Sequence, residues 1–473
     1  MYDLVVIGMG SGGLTAAELA VDLGLRVALV ERSRLGGDCL WTGCVPSKAL
    51  LAAAKVAHTM RTADRFGITV IEPSIDLAMV WRRVRAVQAD IAASDDDPQH
   101  FRDMGAEVFM GTARLIDGEH VEVTPMLGGE PLVLETRFVL VSTGSSPAIP
   151  AIDGLDGVDV LTSENLFTLT DPPTSIAIIG GGPMGVETAQ ALRRLGLDVV
   201  LLQRAATLLP REEATLVDRL TDVLVAEGVE VHLTADVRRV EALPGGRAGV
   251  HAVVGHDAQV VDVAVDAVLL ATGRTPNVDG LDLEVVGVAT TPGGVVVDER
   301  GRTEVRSVYA AGDVTGRRLH TNAAGFDAVQ AVRDMFFPGR ASSRRTVPWC
   351  TFTDPELAHV GLTVAEAEEL HGGDTDVWRI DLDRNDRART DAATTGGIVV
   401  VTAKGRVVGA HVLAPAAGEM IHELAFAVHR ELRVDELAEL PHVYPTLASS
   451  IGRLASEAAY ERARRLKWMM KRR

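Results

Sequence analysis

Two glycine-rich turns, each set between a short apolar run and the start of a helix, restrict this chain to a narrow set of folds. Gly8, Gly10 and Gly13 follow the run Leu4 to Ile7 and open a helical stretch from about Gly12 to Leu23. A second strand follows at Val27 to Val30, with Glu31 at its end. Gly180, Gly182 and Gly185 repeat the pattern after the run Ile176 to Ile179. Glycines at this spacing permit a tight turn and let backbone approach a pyrophosphate, whose charge the helix N-terminus stabilises. The acid at the end of the next strand can accept from ribose hydroxyls. The chain is expected to be an α/β protein with two Rossmann-like dinucleotide-binding domains.

One arrangement is FAD in the first unit and a nicotinamide nucleotide in the second. The second unit carries Gln203 and Arg204 at its strand end, where an NAD-selective site usually has an acid. A carboxylate there would repel a ribose phosphate, whereas Arg204 can bond it, a charge-assisted bond contributing about 1.5 to 3 kcal/mol. NADPH is the expected nucleotide, with NADH the alternative.

At 473 residues the chain exceeds what a single hydrophobic core organises, and the usual domain size suggests about three domains. Its 65 acidic against 47 basic side chains give a net charge of -18, which would repel nucleic acid phosphates. No partner of that kind is expected. The first strand begins almost at Met1 without the basic n-region of a secretory signal, and no apolar run reaches the roughly 18 residues of a membrane span. The expected location is cytoplasmic.

Further along, helix-like runs follow Pro46 as far as His58 and span Leu77 to Ala93, and an acidic loop runs from Ser94 to Pro98. Short alternating segments from Glu107 to Leu140 read as added strands, and Val139 to Ser142 reads as a buried strand ending in Thr143 and Gly144. Val268 to Ala271, ending in Thr272, Gly273 and Arg274, echoes that segment and suggests a return to the first domain. Val308 to Ala311, then Gly312 and Asp313, is a further buried strand with a polar tip. Beyond Pro348, strands near Ile398 to Thr402 and Val407 to Leu413 and helices from about Gly418 and Pro445 form a third, α+β domain.

Cys39 and Cys44 are two of only three cysteines. A structural disulfide explains them poorly, since closing so short a loop stabilises by only about 2 kcal/mol in the chain-entropy model. They precede an apolar helix whose dipole stabilises a thiolate, and Lys48 adds positive charge nearby. Such a pair can exchange electrons at cytosolic potentials. Cys350 reads as a buried, inert thiol, and no metal-binding cluster is expected.

The segment Gly36, Gly37, Asp38, Cys39, then Cys44, Val45, Pro46, Ser47 and Lys48, resembles that of the pyridine nucleotide-disulfide oxidoreductases, the family of dihydrolipoamide dehydrogenase, glutathione reductase and mercuric reductase. The resemblance spans essentially the whole chain, because Ser142 to Gly144, Ala271 to Arg274, Ala311 to Asp313, and Phe352 to Pro355 fall in family order. It implies that Cys44 faces the flavin as the charge-transfer thiol and that Cys39 is the interchange thiol. It further implies that Lys48 lies near flavin N5 with Glu187 as its ion-pair partner, that Asp313 bonds the ribityl chain, and that Arg274 helps hold the nicotinamide nucleotide. A homodimer is implied as well.

The resemblance stops near the C-terminus. Disulfide-reducing members carry a histidine before Pro-Thr and a glutamate five residues later, as a base and its orienter; here those positions are Tyr444 and Ser449. Tyrosine, with a reference pKa of about 10, is a poor neutral-pH base, although it can donate a proton. His442 is either a substitute base or a loop histidine with a structural bond. Mercuric reductases also place tyrosine there but add a vicinal cysteine pair, and this chain has no cysteine beyond Cys350. The basic tail from Arg462 to Arg473, with Leu466, Trp468, Met469 and Met470 interleaved, can either touch an anionic membrane weakly or simply be a solvated helix end.

These readings combine into an FAD domain over 1–150 and 275–345, a nicotinamide domain over 151–274, and a C-terminal interface domain over 346–473. The expected activity passes hydride equivalents from NADPH through FAD and the Cys39/Cys44 pair to a small-molecule acceptor such as a quinone or a metal ion. The alternatives are a dihydrolipoamide dehydrogenase-like reductase with an altered dyad, and a flavin-bearing redox sensor without significant turnover.

Overall fold

The structure is a computed structural model that describes residues 1–94, 96–255, 258–339, 346–465 and 467. Asp95 of the acidic loop, and Leu466, Trp468, Met469, Met470, Lys471, Arg472 and Arg473 of the basic tail, lie outside the described residues.

In the first sheet Tyr2–Ile7 lies between Val27–Glu31 and Leu132–Val141, parallel to both. Glu107–Leu115 and Val308–Ala310 extend it on either side, also in parallel. His120–Pro125 pairs antiparallel with both Glu107–Leu115 and Leu132–Val141. Leu4, Val5 and Val6 are wholly buried, as a parallel sheet covered on both faces requires. Ile7 pairs with Val30 and Val141, so three strands end together beside the first glycine turn. That crevice at the carboxyl ends is where open α/β sheets bind ligands.

The second sheet orders Glu230–Leu233, Asp198–Gln203, Ser175–Ile179, Ala267–Leu270 and Val160–Leu161 in parallel. The strand read as suggesting a return to the first domain belongs to the second, inside the expected 151–274 bounds. Its alternation and its Thr-Gly tip copy the first domain because both strands are buried parallel strands that end at a crevice. The return comes immediately afterwards, where Arg274–Pro276 pairs antiparallel with Ser145–Pro147. The sequence reading also missed an antiparallel meander, Ala235–Ala242, Ala248–Val254 and Gln259–Val265. It missed a helix at Pro98–Met104 too, whose N-cap Asp97 accepts from Gln99 N and had been taken for part of a plain acidic loop.

The third sheet is antiparallel and ordered Trp349–Thr351, Glu356–Gly361, Arg406–Ala414, Gly397–Ala403 and Thr375–Asp381. Helices Ala417–His429 and Ser449–Arg465 bury Ile421, Leu424, Ile451 and Leu454 against it. One continuous apolar cluster contains Leu50, Trp81, Leu192, Leu220 and Leu357 and so runs through all three domains. It fixes the helix that starts at Cys44 relative to both neighbours. Among the described residues no helix is long and apolar enough to cross a membrane.

Candidate active site

The first glycine turn closes tightly on its surroundings. Gly8 has φ +96°, and a Cβ there would sit 2.5 Å from the Ser142 carbonyl oxygen, while one on Gly13 would sit 1.9 Å from the Gly8 oxygen. Gly10, the N-cap of helix Ser11–Asp22, offers no side-chain cap, so the first amides of the helix remain available to an anion. Glu31, 8% exposed, accepts from Met9 N and Ser33 N, each at 2.8 Å.

A cavity of about 460 Å³ runs from Gly8, Gly10 and Glu31 past Thr143, Gly144, Gly312 and Asp313 to Cys39 and Cys44. It is within the range of organic ligand sites. With its uncapped helix end, glycine cradle and acid at one end and a thiol pair at the other, it fits FAD. Ser145 Oγ donates to Asp313 at 2.7 Å, and burial pushes the Asp313 carboxyl above its ordinary value.

Arg274, which the resemblance assigns to holding the nicotinamide nucleotide, lines this cavity. The pairing of Arg274–Pro276 with Ser145–Pro147 draws it under the first domain. There Nε donates to Ser145 Oγ at 2.6 Å, and the guanidinium pairs with Asp38 and lies 3.7 Å from Asp313.

Cys39 sits in the short helix Gly37–Trp41, and Cys44 is the first residue of Cys44–Arg61. Both are free thiols. The hydrogen bond from Cys39 lowers the Cys44 pKa to about 6, assisted by Thr321 and the Lys48 charge and opposed by burial. The same bond, with burial, pushes Cys39 well above a normal thiol. Thr321 Oγ1 lies 3.2 Å from Cys44 Sγ at the start of helix Thr321–Phe336. Lys48 Nζ donates to Glu187 at 2.8 Å and lies 4.3 Å from the Phe352 ring centroid, and Phe352 N donates to the other Glu187 oxygen at 2.8 Å. Cys350 stands apart in chemistry, its thiol raised by burial and by Glu356.

The second turn repeats the first. Gly182 is the N-cap of Pro183–Arg194 without a side-chain cap, and a Cβ on Gly185 would meet the Gly180 oxygen at 1.9 Å. Gln203 Oε1 accepts from Gly181 N and Nε2 donates to Thr207 O, both at 3.1 Å, which uses both ends of the amide internally. Arg204 is exposed, with no ion-pair partner among the described residues. Gly273 O accepts from Ala148 N at the crossing between the domains.

Near the C-terminus, Tyr444 is exposed and donates to Asp386 at 2.9 Å. Ser449 Oγ donates to Thr446 O at 2.6 Å. Both His442 nitrogens are engaged, Nδ1 with Leu440 O at 3.1 Å and Nε2 with Glu423 at 3.1 and 3.2 Å. His442 thus bonds within its own loop and to helix Ala417–His429. Thr321, Ser145 and Asp38 were missed as site residues. Asp38 and Ser145 adjoin named motifs and could have been found there, but Thr321 carries no local signal.

The family model described as pyridine nucleotide-disulphide oxidoreductase matches residues 2–328, and that of the family's dimerisation domain matches residues 347–455. The chain is similar to a mercuric reductase from Streptomyces lividans, 36% identical over 462 residues, covering 95% of this chain and 94% of the relative. It is also similar to a dihydrolipoyl dehydrogenase from Chlorobaculum tepidum, 32% identical over 462 residues, covering 97% of each. Among solved structures, the Cu(II) complex of the HOCl-induced flavoprotein disulfide reductase RclA from Escherichia coli matches with a TM-score of 0.85 at 29% identity, covering 96% of this chain and 99% of that one.

Proposed function

This chain belongs to the pyridine nucleotide-disulphide oxidoreductase family, and from that premise we propose that it oxidises NADPH and delivers the electrons to an acceptor such as a quinone or a metal ion. It is a flavoprotein disulfide oxidoreductase that uses FAD and a pyridine nucleotide, and its dimerisation domain implies a homodimer.

Gly8, Gly10, Gly13 and Glu31 would hold FAD at the turn, with Thr143, Gly144, Gly312 and Asp313 along its length. Bound FAD supplies two-electron exchange between the nicotinamide and the cysteine pair. Gly180, Gly182 and Gly185 would receive the nucleotide pyrophosphate. Because the Gln203 amide is already committed to Gly181 and Thr207, it is a poor ribose ligand. The unpaired Arg204 beside it suits a 2′-phosphate.

Reducing the disulfide takes two electrons and one proton when one sulfur remains a thiolate. Cys44 is the sulfur that keeps the charge, because Thr321, Lys48 and the hydrogen bond from Cys39 all favour its anion. Cys39 holds the proton and would meet an acceptor that is a disulfide, whereas a quinone can bypass it. Glu187 keeps the Lys48 ammonium in place through the 2.8 Å bond.

The acceptor is argued from one observation: Tyr444, Ser449 and His442 each spend their polar atoms on their own subunit, so none of these three is free to act as a thiol base. Disulfide exchange needs such a base and a quinone or metal ion does not. The similar mercuric reductase and the Cu(II)-bound reductase are consistent with a metal acceptor. A cytoplasmic setting belongs to the same reading, since a cycling dithiol needs a reducing compartment. Steady-state NADPH oxidation against quinone, Cu(II), lipoamide and glutathione disulfide tests it. Rapid lipoamide turnover would favour the dihydrolipoyl dehydrogenase reading, and no turnover with any acceptor would favour a sensor.

A further inference from the structure

Behind the thiol pair a stack of rings joins all three domains. Trp349 lies between His320 and His359, nearly parallel to both, with ring centroids 5.3 and 3.9 Å away. Its indole N–H donates to Glu212 Oε1 at 2.6 Å, and Oε2 of the same carboxylate lies 3.2 Å from His359 Nδ1. Glu212 comes from the second domain, on the segment that follows Gln203 and Arg204, and its side chain is 4% exposed. A carboxylate buried this deeply is costly unless it is paired. None of the chemistry described above uses it.

The stack is linked to Cys44 through the chain, because His320 precedes Thr321. His320 is the N-cap of helix Thr321–Phe336, and Asn322 Nδ2 donates to Pro348 O at 2.7 Å. Thr321 is therefore flanked on both sides by residues tied to the segment Pro348 and Trp349, which Glu212 in turn holds. Its hydroxyl is the one 3.2 Å from Cys44 Sγ.

We infer that Glu212 and Trp349 are positioning residues for Cys44: by clamping His320 and Asn322 on either side of Thr321, they hold the Thr321 hydroxyl against the sulfur. The inference rests on the reading of Cys44 as the thiol that stays anionic. The groups facing that sulfur are Cys39 from the short helix, Lys48 from its own helix, Glu187 from the second domain and Thr321. Of these, the clamp governs Thr321. Neither Asn322 nor the indole N–H touches the other three.

The test is the pH titration of the long-wavelength absorption that the two-electron-reduced holoenzyme owes to the Cys44 thiolate. Thr321→Val should raise the apparent pKa by about one unit, the loss of one hydrogen bond to a charged acceptor. Asn322→Ala, Trp349→Phe and Trp349→Ala should each raise it in the same direction, and none should raise it further in the Thr321→Val background. Flavin content and thermal unfolding identify folded variants. Asn322→Ala and Trp349→Phe carry the test if Trp349→Ala does not fold. Titrations at the parent value in these variants, or shifts that add fully to that of Thr321→Val, overturn the clamp. If the absorption survives Cys44→Ser, the reading of Cys44 has failed, and the clamp with it.

Discussion

Lys48 Nζ lies 2.8 Å from Glu187 Oε2, which bonds the helix beginning at Cys44 to helix Pro183–Arg194 of the second nucleotide domain. The ammonium is one of the groups that hold the Cys44 thiol below its ordinary value, at about 6. The reduced enzyme should therefore show its thiolate absorption at pH 7 and lose it as pH falls through about 6. Lys48→Met removes a positive charge, so the titration should move to higher pH, and Cys44→Ser should abolish the absorption. A Lys48→Met enzyme that titrates like the parent would contradict this account of the thiol.

Arg204→Ala should raise the Michaelis constant for NADPH about tenfold, the equivalent of about 1.4 kcal/mol, while hardly moving that for NADH. Only NADPH has a 2′-phosphate to lose. Equal changes for both nucleotides, or a parent that prefers NADH, would remove Arg204 from the site.

Arg194, its side chain 4% exposed, donates to Glu227 at 2.8 and 2.6 Å and to Asp354 at 2.8 Å. Arg194→Ala removes the buried guanidinium from both carboxylates, leaving Asp354 only Lys55 at 3.6 Å and Glu227 only Gln190 at 3.4 Å among the described residues, and breaking a buried pair of this kind costs about 3 to 5 kcal/mol. Burial pushes the Asp354 carboxyl up, but Arg194 foremost, with Lys55 and His58, pulls it down and the net shift is downward. A folded value below the unfolded one gives stability that is present at neutral pH and is lost as pH falls through the folded value. Denaturant unfolding at pH 7 and in mild acid should thus find the deficit of Arg194→Ala largest at pH 7. A deficit that grows in acid would reverse the sign.

Both nucleotide-binding turns and the cysteine pair were legible in the sequence because each is a local pattern that its own chemistry demands: a strand, glycines at fixed spacing, a helix. The Ala235–Ala242 meander was not, since its alternation is broken by Arg238, Arg239 and Gly249 and its partners are fixed by pairing. The contacts of Arg274 with Asp38 and Ser145 were not legible, because the motif gives its position in the chain but not which domain the return strand pulls it under. The contact of Glu212, Trp349 and His320 joins three domains, and no local period announces it. His442 has two readings, and its contact with Glu423 on helix Ala417–His429 was not legible because it is a tertiary one.

The central claim is that the electrons leave without a thiol base. Parallel steady-state rates with quinone, Cu(II), lipoamide and glutathione disulfide, on the parent and on Cys39→Ser, test it most directly. General acid–base catalysis contributes about 10² to 10⁴ in rate, so quinone or metal reduction should exceed both disulfide reductions by a factor of at least about 10². Cys39→Ser should retain much of the quinone rate, because a quinone can bypass the interchange thiol. Fast disulfide turnover that disappears in Cys39→Ser would contradict the claim and mean that another group serves as the base.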